Sequence, residues 1–196
     1  MTAPARQPKA IVIGASAGAI EALTRILPAI PAGYPLPLLI VVHLPHDMKS
    51  TLADLFVPKC RIEVKEAEDK EIVRPGVAYF APPNYHLLVE SDGALSLSSD
   101  EPELFSRPSI NVLFESAADA YGTGLVGIVL TGASNDGARG LLAVGEAGGL
   151  ALAQDPQTAE IRTMPEAALA LCPGARSMSL SEIAGLLTQL PNNAPV

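Results

Sequence analysis

Strands alternating with helices predict an α/β domain built on a mainly parallel sheet. Three observations carry that expectation. Short, continuous apolar runs recur at residues 10–13, 38–42 and 125–130, and runs of this kind form strands buried on both faces. Helical apolar spacing separates them, as at Ile20, Leu23, Ile26 and Leu27. The chain has 196 residues, 48% hydrophobic and 17% charged. That suits one compact domain and rules out a disordered chain.

The elements follow in order. Residues 1–9 read as a loose tail. The first strand, rich in β-branched residues, runs over 10–13 and stops at Gly14. The helix after it closes at Pro28, and the second strand spans 38–42. The chain thus opens β-α-β, and a right-handed crossover is expected. Ser50 can cap a helix through Phe56, residues 61–65 alternate as a short strand, and 77–81 form another before Pro82-Pro83. Residues 86–90 and 94–98 flank the turn Ser91-Asp92-Gly93, which predicts a β-hairpin. Pro108 opens a helix reaching about Tyr121. A strongly apolar strand at 125–130, a helix at 136–146 and a strand at 150–153 come next. Pro165 opens another helix, 179–190 form the last, and 191–196 fray.

Charge and cysteine content narrow the function. Lys+Arg number 13 and Asp+Glu 21, a net of −8. No basic footprint for nucleic acid exists. The acidic stretch at 66–71 reads as a solvated loop. Cys60 and Cys172 stand far apart, without zinc spacing or a disulfide framework, and read as reduced, packed thiols. The N-terminus lacks the apolar core of a signal peptide, and no apolar run is long enough to span a bilayer. A cytoplasmic protein without membrane insertion, cofactor or metal is expected.

In open α/β sheets, function sits beyond the carboxyl ends of the strands. Three polar residues stand there. Gly14-Ala15-Ser16-Ala17-Gly18 is a G-x-S-x-G turn between strand and helix, the context of a nucleophile elbow. The helix expected to begin near Ala17 directs its N–H groups and positive dipole end toward developing negative charge. His43 ends the second strand. Thr131 to Gly137 follows the strand at 125–130 and carries Asp136 near a helix start. Serine needs a base, histidine titrates near neutrality, and an aspartate orients the imidazole. These are the parts for acyl transfer, in the chain order Ser–His–Asp.

Each part has a plainer reading. The turn could be structural or bind phosphate, His43 could be a satisfied strand-end residue, and Asp136 could be a helix cap. Rivals are His46, His86, Asp47 and Asp155. Asp155 is also a candidate to line the substrate cleft. Arg107, before Pro108-Ser109, could hold a carboxylate or be a surface arginine.

At this point the motifs resemble a known family. Residues 11–18, His43-Leu44-Pro45 and Thr131-Gly132 through Asn135-Asp136-Gly137-Ala138 are similar to the catalytic domain of the chemotaxis-receptor methylesterases. So are Val64 to Asp69, Pro75-Gly76 to Ala81-Pro82, Arg107-Pro108-Ser109 to Phe114, and Ala153-Gln154-Asp155. The resemblance covers roughly residues 10–190 in one order. It implies a doubly wound, Rossmann-like, mainly parallel sheet with a β-hairpin at one edge. It implies a serine hydrolase of glutamate methyl esters on the cytoplasmic helices of chemoreceptors, with glutamine deamidation in many members. Ser16 becomes nucleophile, His43 base and Asp136 the orienting carboxylate, with oxyanion N–H groups at Ala17 and Ala133. The family commonly has Thr where Ala17 stands, Met where Ala133 stands and Gln where Val42 stands. Backbone donors survive those changes. Typical members also carry an N-terminal receiver domain, for which the residues before the first strand leave no room. A separate regulatory protein is then a candidate partner. Two other readings are a nucleotide-binding module and a catalytically silent signalling domain. Against the first, Ser16 replaces the middle glycine of a dinucleotide fingerprint, and the second strand ends in His43 rather than an acidic residue.

Overall fold

A computed structural model of the protein describes residues 7–43 and 52–193. The elements in order are β1 (Ala10–Ala15), α1 (Ala19–Ile26), β2 (Leu38–Val42), α2 (Leu52–Phe56), β3 (Glu63–Glu66), β4 (Val77–Phe80), β5 (His86–Val89), β6 (Leu95–Ser98), α3 (Ile110–Tyr121), β7 (Leu125–Val129), α4 (Ala138–Glu146), β8 (Leu150–Gln154), α5 (Thr163–Leu171), β9 (Arg176–Met178) and α6 (Leu180–Gln189). Seven strands form one sheet in the order β3-β4-β2-β1-β7-β8-β9. Every neighbouring pair in it is parallel. The order reverses direction between β1 and β7, which puts the ligand-binding crevice of a doubly wound sheet beyond the end of β1.

The central strands form because both of their faces are covered. Ile11, Ile13 and Ala15 point into one core with α1, α2 and α6. Ala10 and Val12 point into the other, with α3, α4 and α5. Each fully buried aliphatic side chain here stabilises the fold by about 1.5–3 kcal/mol. The buried stripe of α1 is Ala19, Ala22, Leu23 and Ile26, while Ile20 is 50% exposed. The expected apolar spacing was therefore offset at its first residue, because small alanines fill that face.

The structure and the sequence expectation agree on most elements and differ at several boundaries. The expected hairpin is present as β5–β6, a two-stranded antiparallel sheet of its own. Its strand β5 is committed to α3: Leu87 and Val89 enter that helix's core, and the Val89 N–H donates to Ser116 Oγ at 3.1 Å. Helix α5 begins at Thr163, so Pro165 sits inside its first turn, where no N–H is needed. The edge strand β9 has three residues, too few for a period-two pattern to show. Residues 190–193 continue α6 as a 3-10 turn. Ser50, the expected cap of α2, lies outside the described residues. Among the described residues, no helix is long and apolar enough to cross a membrane.

Candidate active site

The Gly14–Gly18 turn is built by glycines where other residues would collide. A Cβ on Gly14 would run into the Ile110 side chain at the start of α3. Gly18 adopts φ +81° and caps α1, a left-handed conformation that favours glycine. Between them the Ser16 N–H donates to the Thr131 carbonyl at 3.0 Å, which ties the turn to the end of β7. Thr131 Oγ1 donates to the Ala17 carbonyl at 2.9 Å and accepts from the Ile161 N–H at 3.0 Å. Thr131 is itself held by Gln154, whose Oε1 accepts from the Thr131 N–H at 2.9 Å.

Gly132 is pressed against the serine. A Cβ there would lie 2.8 Å from Ser16 Cβ and 2.6 Å from Met164 Cε. Gly132→Ala should therefore displace Ser16 and lower ester turnover about 100-fold, the scale of a misplacement near 1 Å. Steady-state hydrolysis alongside a thermal melt checks this, and turnover within twofold of the parent would contradict it.

His43 stands beside Ser16. The last register pair of β1 and β2 is Ala15↔Val42, and the His43 N–H donates to the Ala15 carbonyl at 3.1 Å. The next residues on the two strands are Ser16 and His43. His43 Nε2 lies 2.8 Å from Asp136 Oδ2, so Nδ1 is the ring nitrogen left over. No hydrogen bond joins Ser16 Oγ to His43 among the described residues. Catalytic hydrogen bonds of unliganded sites are often long and tighten with substrate.

Asp136 is fully buried and accepts four hydrogen bonds. Its Oδ2 takes the N–H of Ile110 at 2.6 Å besides His43 Nε2. Its Oδ1 takes the N–H of Asn111 at 2.9 Å and the Ser109 hydroxyl at 2.9 Å. Burial pushes its carboxyl up, but His43 and the amides of Asn111 and Ile110 outweigh that and hold it below the usual range. Asp136 is thus a helix cap, as the plainer reading had it, but of α3 rather than of the helix it precedes. Helix α4 begins at Ala138, and its N-cap residue Gly137, φ +96°, has no side chain of its own to cap it.

The clasp is reciprocal. Asn111 Oδ1 accepts from the N–H groups of Gly137 at 2.9 Å and Gly140 at 2.8 Å, the first turn of α4. Each helix start therefore caps the other, and Asp136 sits at the joint. Asn111→Ala leaves two buried amides unpaired and should lower the unfolding free energy by about 2 kcal/mol. Urea titration measures it, and no change would contradict the clasp.

Exposure rises from Asp136 outward. The His43 side chain is 12% exposed, Ser16 is half-buried and Ala17 is exposed. The N–H groups of Ala17 and Ala133 donate to no acceptor among the described residues, which leaves two backbone donors beside Ser16.

The remaining sequence candidates make local hydrogen bonds. Arg107 Nη1 donates to the carbonyls of Ser99 and Asp100 at 2.8 and 2.9 Å. Asp155 Oδ1 accepts from the Gln157 N–H at 2.9 Å and caps a 3-10 turn. Neither is hydrogen-bonded to Ser16, His43 or Asp136. His86 is buried, with both ring nitrogens bonded. His46 and Asp47 lie outside the described residues. Sequence reasoning missed Ser109, Asn111, Thr131 and Gln154 as parts of the site. A polar residue ending the apolar strand β8 was a signal for Gln154. Nothing local marked Asn111.

Residues 11–187 match the CheB methylesterase family model. A Leptospira interrogans protein is 46% identical over 185 residues, covering 94% of this chain and 96% of that protein. A Geobacter metallireducens protein named protein-glutamate methylesterase/protein-glutamine glutaminase 1 is 46% identical over 165 residues, 83% of this chain and 45% of its own length. A Chromohalobacter salexigens protein named protein-glutamate methylesterase/protein-glutamine glutaminase is 40% identical over 182 residues, 91% of this chain and 51% of its own length. The chain thus spans about half of those two longer relatives. Among solved structures, the Thermotoga maritima CheB methylesterase catalytic domain matches with TM-score 0.88 and 30% identity, over 93% of this chain and 98% of that one. By family match, relatives and fold together, this chain belongs to the CheB methylesterase family.

Proposed function

We propose that this chain hydrolyses glutamate methyl esters on the cytoplasmic helices of chemoreceptors, and deamidates glutamines there, by acyl transfer through Ser16. His43 takes the Ser16 hydroxyl proton at Nδ1 as Oγ attacks the ester carbonyl. The Ala17 and Ala133 N–H groups stabilise the oxyanion. The intermediate expels methoxide, which leaves as methanol with the proton from His43. Water then attacks the acyl-serine by the same route and frees the glutamate. With an amide substrate the leaving group is ammonia. Asp136 keeps His43 oriented and stabilises its charged form.

The observation that carries this reading is the 2.8 Å contact between His43 and a fully buried carboxylate, with Ser16 on the adjoining strand end. The outward gradient in exposure supports a macromolecular substrate, because the nucleophile is the open end of the array. In this reading Arg107 and Asp155 hold backbone near the site rather than substrate. The protein works in the cytoplasm, without cofactor, with a separate regulatory protein as a candidate partner. Incubation with methylated receptor membranes should release methanol. A folded protein that reacts with a serine-directed phosphonate yet releases none would show that its ester lies elsewhere.

A further inference from the structure

We propose that His86 is a positioning residue for this reaction, acting on Asp136 through Ser109; the inference rests on the Ser16–His43–Asp136 reading above. His86 begins β5 in the hairpin, outside the main sheet, and is only 2% exposed. Its Nδ1 accepts from the Ser109 N–H at 3.1 Å. Its Nε2 lies 3.0 Å from the Glu101 carbonyl, to which it must donate. An acceptor on one nitrogen and a donor on the other define a neutral ring with its proton on Nε2.

Ser109 is where this matters. It is the extended residue immediately before α3, and its hydroxyl has a single proton. That proton goes to Asp136 Oδ1 at 2.9 Å, while the same oxygen accepts from the Val112 N–H at 3.4 Å. The next two amides, Ile110 and Asn111, supply two more of the four bonds to Asp136. Three of the four donors therefore belong to three consecutive residues, and His86 holds the N–H of the first. If Ser109 rotates, the hydroxyl and both amides turn with it. Asp136 then keeps only His43, and the base loses its fixed partner. The array thus runs from the hairpin to the base as His86, Ser109, Asp136 and His43.

Two conservative variants separate this role from simple core filling. The Asn side-chain oxygen stands close to where Nδ1 stands, so His86→Asn retains the bond to Ser109 and loses that to Glu101. The Gln amide reaches the Nε2 position, so His86→Gln retains the bond to Glu101 and loses that to Ser109. The measurement is the second-order rate of phosphonylation at Ser16 by a fluorophosphonate, on the full chain, well below each variant's melting temperature. His86→Gln should react about 10-fold more slowly than the parent, the low end for a supporting partner, and His86→Asn within threefold of it. Equal rates for the two variants, or a faster His86→Gln, would overturn the proposal. A parent protein that is not labelled at Ser16 would overturn the triad reading instead.

Discussion

Replacing Ser16 with alanine should lower methanol release from methylated receptors by as much as about 10⁶-fold, the loss seen when a serine nucleophile is removed from a triad. The fold should not change. The Ser16 hydroxyl has no hydrogen-bond partner among the described residues, and the turn is held by its backbone: the Ser16 N–H on Thr131 and the Thr131 hydroxyl on Ala17. The melting temperature of Ser16→Ala should therefore stay within a degree or two of the parent's, since surface changes away from buried partners are worth about ±0.5 kcal/mol. Methanol assays paired with a thermal melt make the comparison. Turnover retained by the alanine variant would remove Ser16 from the reaction.

Asp136→Asn should damage both activity and stability. The amide matches the carboxylate in shape but not in donor pattern. Four donors converge on Asp136, and an amide NH2 must face at least one of them. Against His43 it removes the acceptor that fixes the imidazole, and kcat should fall about 10⁴-fold. Against α3 it leaves a buried N–H unpaired, and the protein should lose about 3 kcal/mol. The pH dependence follows from the sign of the shift. Because the folded-state carboxyl is held below its ordinary range, its contribution is fully present above that range and is lost as pH falls through the lowered value. The stability gap between parent and Asp136→Asn should therefore be widest near neutrality and close in acid. A gap that is constant with pH would mean that the charge of Asp136 stabilises nothing.

Much of this site was legible because its chemistry sits at strand ends. The runs at 10–13, 38–42 and 125–130 are apolar on both faces, so the first polar residue after each stands out, and those residues lead to Ser16, His43 and Asp136. What the sequence could not show is the part made by non-local hydrogen bonds. Asp136 precedes a helix and looks like its cap, yet it caps α3, 25–27 residues earlier in the chain. Asn111 returns the favour to α4 from inside an apolar helical pattern, where its polar side chain resembled any helix surface residue. His86 stood only as a rival to His43, because its partner Ser109 is 23 residues away. The hairpin was visible from its turn, but its separation from the main sheet depends on packing against α3. Edge strand β9 pairs with β8 on one side and has too few residues to announce itself.

In the mechanism proposed above, Ser16 is activated by His43 held on Asp136. Covalent capture tests it most directly: the protein is treated with a fluorophosphonate and the modified peptide is identified by mass spectrometry. The prediction is a single adduct on Ser16, formed by the parent and reduced at least about 10³-fold in rate in His43→Ala. An adduct on another residue, or labelling of Ser16 that proceeds at the parent's rate without His43, would contradict it.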